Sequence, residues 1–222
     1  LLLHGVGDTR TWWLPVMQRL ADDGYASMAI SFRAHGDSTG SVEDFGYSES
    51  RDVIAAVRYL RGRFPDRPIA LVGSSLGSAA AIFAAKALGH ESAGYFLESP
   101  YRDLRTAVWD RVNTIPPPLN WLAYEGMALW GRVMLPESAD LISPIDHVCD
   151  IPEDVPVTFV AARGDQSCKL EEVEDQYHRI ESHARLVVID NAAHGWCSHL
   201  RPKEYDAALL ELLGRTDAAR PA

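Results

Sequence analysis

Three observations predict an α/β fold with a mostly parallel sheet and helices on both faces. Short apolar runs alternate with longer amphipathic stretches, Gly and Asp punctuate the junctions between them, and 222 residues suit one large domain better than a string of small ones. The apolar runs are residues 1–3, 26–32, 69–72, 95–97, 157–161 and 186–189, each short enough to be a buried strand. Between the first two, Thr11 is a candidate cap for a helix running to Leu20, with Pro15 tolerable in its first turn. Val53, Ile54, Val57 and Leu60 then mark one helical face. Residues 75–88 are Ala-rich and helical by propensity. Leu170, Val173, Tyr177 and Ile180 form another face, and Leu209, Leu212 and Leu213 the last.

Residues 100 to about 150 break this rhythm with Pro116-Pro117-Pro118 and with Trp109, Trp121, Tyr124 and Trp130. The expected arrangement is a single domain, 1–222, carrying a helical cap inserted between the fourth and fifth strands. Within the insertion, residues 119–135 are apolar on most helical faces, as suits a helix packed on both sides or a lid over a pocket. Trp121, Tyr124 and Trp130 are the candidate substrate-binding side chains there.

Composition excludes several classes. At 47% apolar and 23% charged residues the chain is neither disordered nor fibrous. A net charge of −10 without a basic patch argues against nucleic-acid binding. Arg58, Arg61, Arg63 and Arg67 read as the solvated end of a helix. The longest apolar stretch is interrupted by Glu125 and Arg132, so no membrane span is expected. Cys149, Cys168 and Cys197 supply neither a disulfide framework nor a metal spacing, and neither metal nor organic cofactor is expected. The chain opens Leu1-Leu2-Leu3-His4-Gly5, inside what reads as a core strand. The expectation is that amino-terminal strands, and any targeting signal with them, are missing; the cytoplasm is the default compartment, and the oligomeric state is open.

The sharpest chemical signal is Gly73-Ser74-Ser75-Leu76-Gly77, between an apolar run and the Ala-rich helix. A strand–turn–helix setting turns this common string into a candidate nucleophile turn, with Ser75 projected above the sheet and backbone N–H groups presented at the helix start. Without a partner base the same string would be a plain Gly/Ser loop. His194, in a short loop after residues 186–189, is the best base, and Asp165, in the loop after residues 157–161, the best acid. Glu98, at the end of the fourth run, is the rival acid. The remaining histidines read as turn, helix or surface residues.

In these pieces, taken in order, the chain resembles the alpha/beta-hydrolase superfamily in its serine-hydrolase branch. The matching segments are LLLHGVG (residues 1–7), FRAHGDSTG (32–40), GSSLG (73–77), Gly164-Asp165 and Ala193-His194. The resemblance implies that fold, a triad in the chain order Ser75, Asp165, His194, and an oxyanion hole from the backbone N–H groups of Val6 and Leu76. It also implies hydrolysis of carboxylic esters or thioesters of small apolar acyl groups through an acyl-enzyme. A peptidase, amidase or acyltransferase would use the same triad, perhydrolysis is a conceivable side reaction, and a non-catalytic binding member or an inactive fragment are the outside readings. Asp37 and Ser38, in the second segment, are expected to be structural. Cys168 and Cys197 each lie three residues beyond a triad candidate, so a disulfide between neighbouring loops is one further expectation.

Overall fold

A computed structural model describes residues 1–218. Its strands are β1 (Leu2–Leu3), β2 (Ala29–Ile30), β3 (Ala70–Ser74), β4 (Gly94–Glu98), β5 (Val157–Ala162) and β6 (Ala184–Ile189). All pair in parallel, in the order β2-β1-β3-β4-β5-β6. The helices are α1 (Leu14–Asp22), α2 (Ser50–Arg63), α3 (Leu76–Leu88), α4 (Leu104–Val112), α5 (Leu119–Met134), α6 (Pro144–His147), α7 (Leu170–Arg179), α8 (Cys197–Leu200) and α9 (Pro202–Ala218).

Successive strand residues point to opposite faces, so the continuous apolar runs feed two separate cores. Leu3, Leu71, Tyr95, Leu97 and Phe159 pack with α2, α3 and α7. Leu2, Val72, Phe96 and Val160 pack with Val16 and Leu20 of α1 and with Tyr205, Leu209 and Leu212 of α9. This is why the runs read as uniformly apolar: both faces are covered.

The structure corrects several boundaries. Thr9, not Thr11, caps the first helical segment: its side chain accepts the Thr11 N–H, and a 3-10 turn over Arg10–Trp13 leads into α1. The run at 26–32 pairs only over Ala29–Ile30, because its partner β1 is itself two residues long and ends at the His4 turn. Arg61 is more than a solvated charge: its guanidinium donates to the carbonyls of Pro65, Arg67 and Glu91 and ties down the loop after α2.

Between β4 and β5 lie α4, α5 and α6. Helix α5 is not packed on both sides. Of its residues only Asn120 is buried, whereas Trp121, Leu122, Leu129, Trp130 and Val133 are exposed. Cys168 and Cys197 are free thiols rather than a disulfide. They sit in different clusters, Cys168 with Tyr101, Leu104 and Ile142, and Cys197 with Phe96 and Tyr205. Burial pushes both thiols up, so neither is a nucleophile near neutral pH. Among the described residues no helix is long and apolar enough to cross a membrane.

Candidate active site

Parallel strands deliver their carboxyl ends to one edge of the sheet, and there the candidate residues meet. Register places Leu3 beside Gly73, Ser74 beside Glu98, and Ala162 beside Ile189. The loops that follow β1, β3, β5 and β6 therefore converge.

Ser75 occupies the turn between β3 and α3 at φ 52°, ψ −111°, a left-handed conformation costing about 1–3 kcal/mol for a residue with a Cβ. The surroundings hold it there. Its N–H donates to the Glu98 carbonyl at 2.8 Å, and the Ser78 hydroxyl donates to the same oxygen at 2.9 Å. A Cβ at Gly77 would lie 2.1 Å from the Leu3 carbonyl oxygen of the adjacent strand, and one at Gly73 would lie 2.5 Å from the Ser78 nitrogen. Gly77 thus clears a neighbouring strand, whereas Gly73 clears the start of its own helix.

His194 joins the other two residues. Its Nδ1 is 2.7 Å from Asp165 Oδ2 and its Nε2 is 2.9 Å from Ser75 Oγ. A carboxylate only accepts, so Nδ1 carries the proton and donates, and Nε2 is free to accept from the Ser75 hydroxyl. The other oxygen of Asp165 accepts the N–H groups of Ser167 at 2.8 Å and Cys168 at 3.0 Å. Burial opposes the charge on this side chain, but the His194 contact and these two amides outweigh it, and the carboxyl is held below its ordinary range. Those two N–H donors were not legible in the sequence, since any residue supplies one.

Glu98 does not take this place. It is fully buried, and its Oε1 accepts the Cys197 N–H at 2.9 Å, so it anchors the loop that carries His194 from below.

His4 fixes the turn ahead of Val6. Its Nε2 accepts the Phe32 N–H at 3.0 Å, which leaves Nδ1 to donate to the Gly5 carbonyl at 2.7 Å. Burial depresses its pKa to about 4, so this neutral clamp persists through the working range. Gly5 lies against Ser75: a Cβ there would be 3.7 Å from the Ser75 Cβ. Leu76 is the first residue of α3, where backbone N–H groups have no partner in the helix ladder. Asp37 pairs with Arg10, and the Ser38 hydroxyl donates to the Ser31 carbonyl, so both are tied up in local contacts.

Two cavities are relevant. The larger, about 730 Å³, lies between α5, the start of α4 and the loop at 41–45; Tyr124, Met127 and Trp130 line it together with Val42, Phe45 and Val108. Trp121 is not brought into it: it stands exposed, one turn before the first lining residue of the helix. The contribution of the 41–45 loop had no sequence signal. The smaller cavity, about 350 Å³, is lined by Asp8, Trp12 and His199 among others.

Comparison with known proteins follows the same lines. The model of the family described as "Alpha/beta hydrolase family" matches residues 1–208. The chain is similar to the esterase Pf2001 of Pyrococcus furiosus, with 26% identity, a TM-score of 0.77, and coverage of 96% of this chain and 81% of that one. A thermophilic esterase from Thermogutta terrifontis shares the fold at 21% identity and a TM-score of 0.65, over 97% of this chain and 89% of that one. Human Protein ABHD12B is 30% identical over 110 residues, which are 47% of this chain and 30% of the relative's length. The chain thus spans under a third of that relative.

Proposed function

Because the chain belongs to the alpha/beta hydrolase family, we propose that it is a serine hydrolase of carboxylic esters or thioesters with small apolar acyl groups. One observation carries this reading: the continuous hydrogen-bonded path from Ser75 through His194 to Asp165, on a strained turn at the sheet edge. The esterase named above, alike in fold over most of its length, favours esters over other acyl derivatives.

In this mechanism the Ser75 oxygen attacks the acyl carbonyl while His194 Nε2 takes the hydroxyl proton. The negative charge that develops on the carbonyl oxygen is met by the N–H groups of Val6 and Leu76, each such donor being worth about 3–4 kcal/mol of barrier. The intermediate collapses to the Ser75 ester, and the imidazolium returns its proton to the departing alcohol or thiol. A water molecule then repeats the sequence, losing its proton to His194, and the acid is released. Asp165 holds the productive tautomer and stabilises the imidazolium. Residues 100 to about 150 act as a cap, with Tyr124 and Trp130 offering the acyl group an apolar wall.

The test is fluorophosphonate labelling and turnover of p-nitrophenyl butyrate. The wild-type chain should label at Ser75 and turn over. The Ser75→Ala protein should do neither while keeping its circular dichroism spectrum. Hydrolysis by that variant at the wild-type rate removes the proposal.

A further inference from the structure

We propose that the smaller cavity is a subsite for an organic ammonium group carried on the alcohol side of the substrate; this rests on the reading of the site as an ester hydrolase. The cavity stands between the loop that presents Val6 and the loop that follows His194, with Asp8 and Thr9 on one wall and His199 on the other. The leaving alcohol receives its proton from His194, so its substituent departs toward that second loop. Gly5 separates the cavity from the nucleophile. A Cβ there would be 3.6 Å from Asp8 Oδ2 and 3.7 Å from the Ser75 Cβ, so the Asp8 carboxylate is one residue's width from Ser75. A charge two or three bonds from the ester oxygen can span that gap.

The chemistry of the walls selects a cation. Among the described residues no hydrogen bond or ion pair reaches the Asp8 carboxylate. Two neighbouring guanidinium groups are committed elsewhere: Arg10, two residues along the chain, pairs with Asp37 at 2.9 Å, and Arg19, whose charge reaches His199, pairs with Asp206 at 2.6 Å. Burial, and then the Arg19 charge, push His199 down, against the pull of Asp8, so the charge that faces Asp8 from this ring is weakened; His35 is the other imidazole whose charge Asp8 senses. Burial raises the Asp8 carboxyl, a penalty that a bound cation would relieve. Gly7, Thr9, Thr11 and Pro15 complete the lining together with one indole, that of Trp12. The Trp12 ring lies 4.2 Å from His199 and 4.8 Å from Trp196, centroid to centroid, the latter edge-on. A carboxylate and an indole lining one cavity favour an ammonium group over its uncharged carbon isostere.

The direct test is equilibrium binding, followed by tryptophan fluorescence, of choline against 3,3-dimethylbutanol, which has the same shape without charge. Wild-type protein should bind choline about tenfold more tightly, from one cation–π contact and one charge pair. The Asp8→Asn protein should lose most of that ratio, and so should wild-type protein in 1 M salt. Equal affinities in the wild type, or a ratio indifferent to both changes, overturns the subsite. A parallel assay compares kcat/KM for butyrylcholine and 3,3-dimethylbutyl butyrate. Turnover of both, with the same ratio in wild type and Asp8→Asn, refutes the subsite and leaves the hydrolase reading standing. Selective choline binding by a protein that turns over neither of these esters nor p-nitrophenyl butyrate refutes the hydrolase reading and leaves an ammonium-binding cavity that is no substrate subsite.

Discussion

Replacing Asp165 with Asn should cost nearly all activity and almost no stability, and the hydrogen bonds around the side chain say why. One carboxylate oxygen accepts the N–H groups of Ser167 and Cys168, and the other accepts from His194 Nδ1 at 2.7 Å. In the variant, the carbonyl oxygen of Asn must stay with the two amides, since turning the NH2 toward them would set donors against donors. The NH2 therefore faces Nδ1. Nδ1 must become an acceptor, the ring proton moves to Nε2, and that proton then points at Ser75 across 2.9 Å. The base is lost although every atom keeps its place. Loss of the productive tautomer is worth about 10⁴ in kcat, or roughly 5.5 kcal/mol of barrier. KM should move little. Asp165→Ala provides the contrast: it leaves two buried N–H groups unpaired at about 2–4 kcal/mol in total, which lowers Tm by roughly 5–15 °C in a domain of this size. Steady-state kinetics on p-nitrophenyl butyrate and thermal melts read both effects. A folded Asp165→Asn protein with kcat within tenfold of wild type refutes the tautomer argument.

Other outcomes follow from single features. Gly77→Ala drives a methyl group into the Leu3 carbonyl and should abolish soluble expression or cost at least about 3 kcal/mol by denaturant titration. Gly62→Ala, in α2 with no atom near its Cβ position, should instead stabilise by about 0.5–1 kcal/mol. Glu49 is buried with both oxygens on backbone N–H groups, and burial together with Asp44 raises it from 4.5 to about 7. The folded state keeps this proton where the unfolded chain has lost it, so stability should fall as pH rises from 4.5 to about 7, a slope that Glu49→Gln should flatten in melts across that window. Trp130→Ala should raise KM for octanoyl esters about fivefold more than for butyryl esters, while Leu129→Ala, exposed outside the cavity, should leave the chain-length profile as it was.

The parts of this molecule that depend on local pattern were legible in its sequence. The runs at 69–72, 95–97 and 157–161 matched β3, β4 and β5 to within a few residues, because burial on both faces leaves an unbroken apolar signature, and the run at 186–189 fell within the half-buried edge strand β6. Gly73-Ser74-Ser75-Leu76-Gly77 was readable because the turn tolerates so few side chains. The pairing of Ser75, Asp165 and His194 was accessible through chain order. What escaped notice depends on partners distant in sequence. Thr9 and Thr11 are equally good caps in isolation, and only the preceding turn decides between them. The aromatic run of α5 carries no mark of which turn faces a cavity, so Trp121 and Trp130 looked alike. Asp8 and His199 are separated by almost the whole chain, and neither belongs to a motif.

The spacing of the reacting groups also sets a timetable. Ser75 lies 119 residues ahead of His194, and Asp165 lies 29 ahead. During synthesis Ser75 emerges with three of the six strands made while its proposed base is still unmade, so an unfinished chain exposes a serine of ordinary reactivity. His194 arrives on the loop after β6, at the sheet's edge, which is where fraying begins. Turnover therefore counts only molecules whose last strand has docked, and on gentle heating it should vanish before the helical signal does.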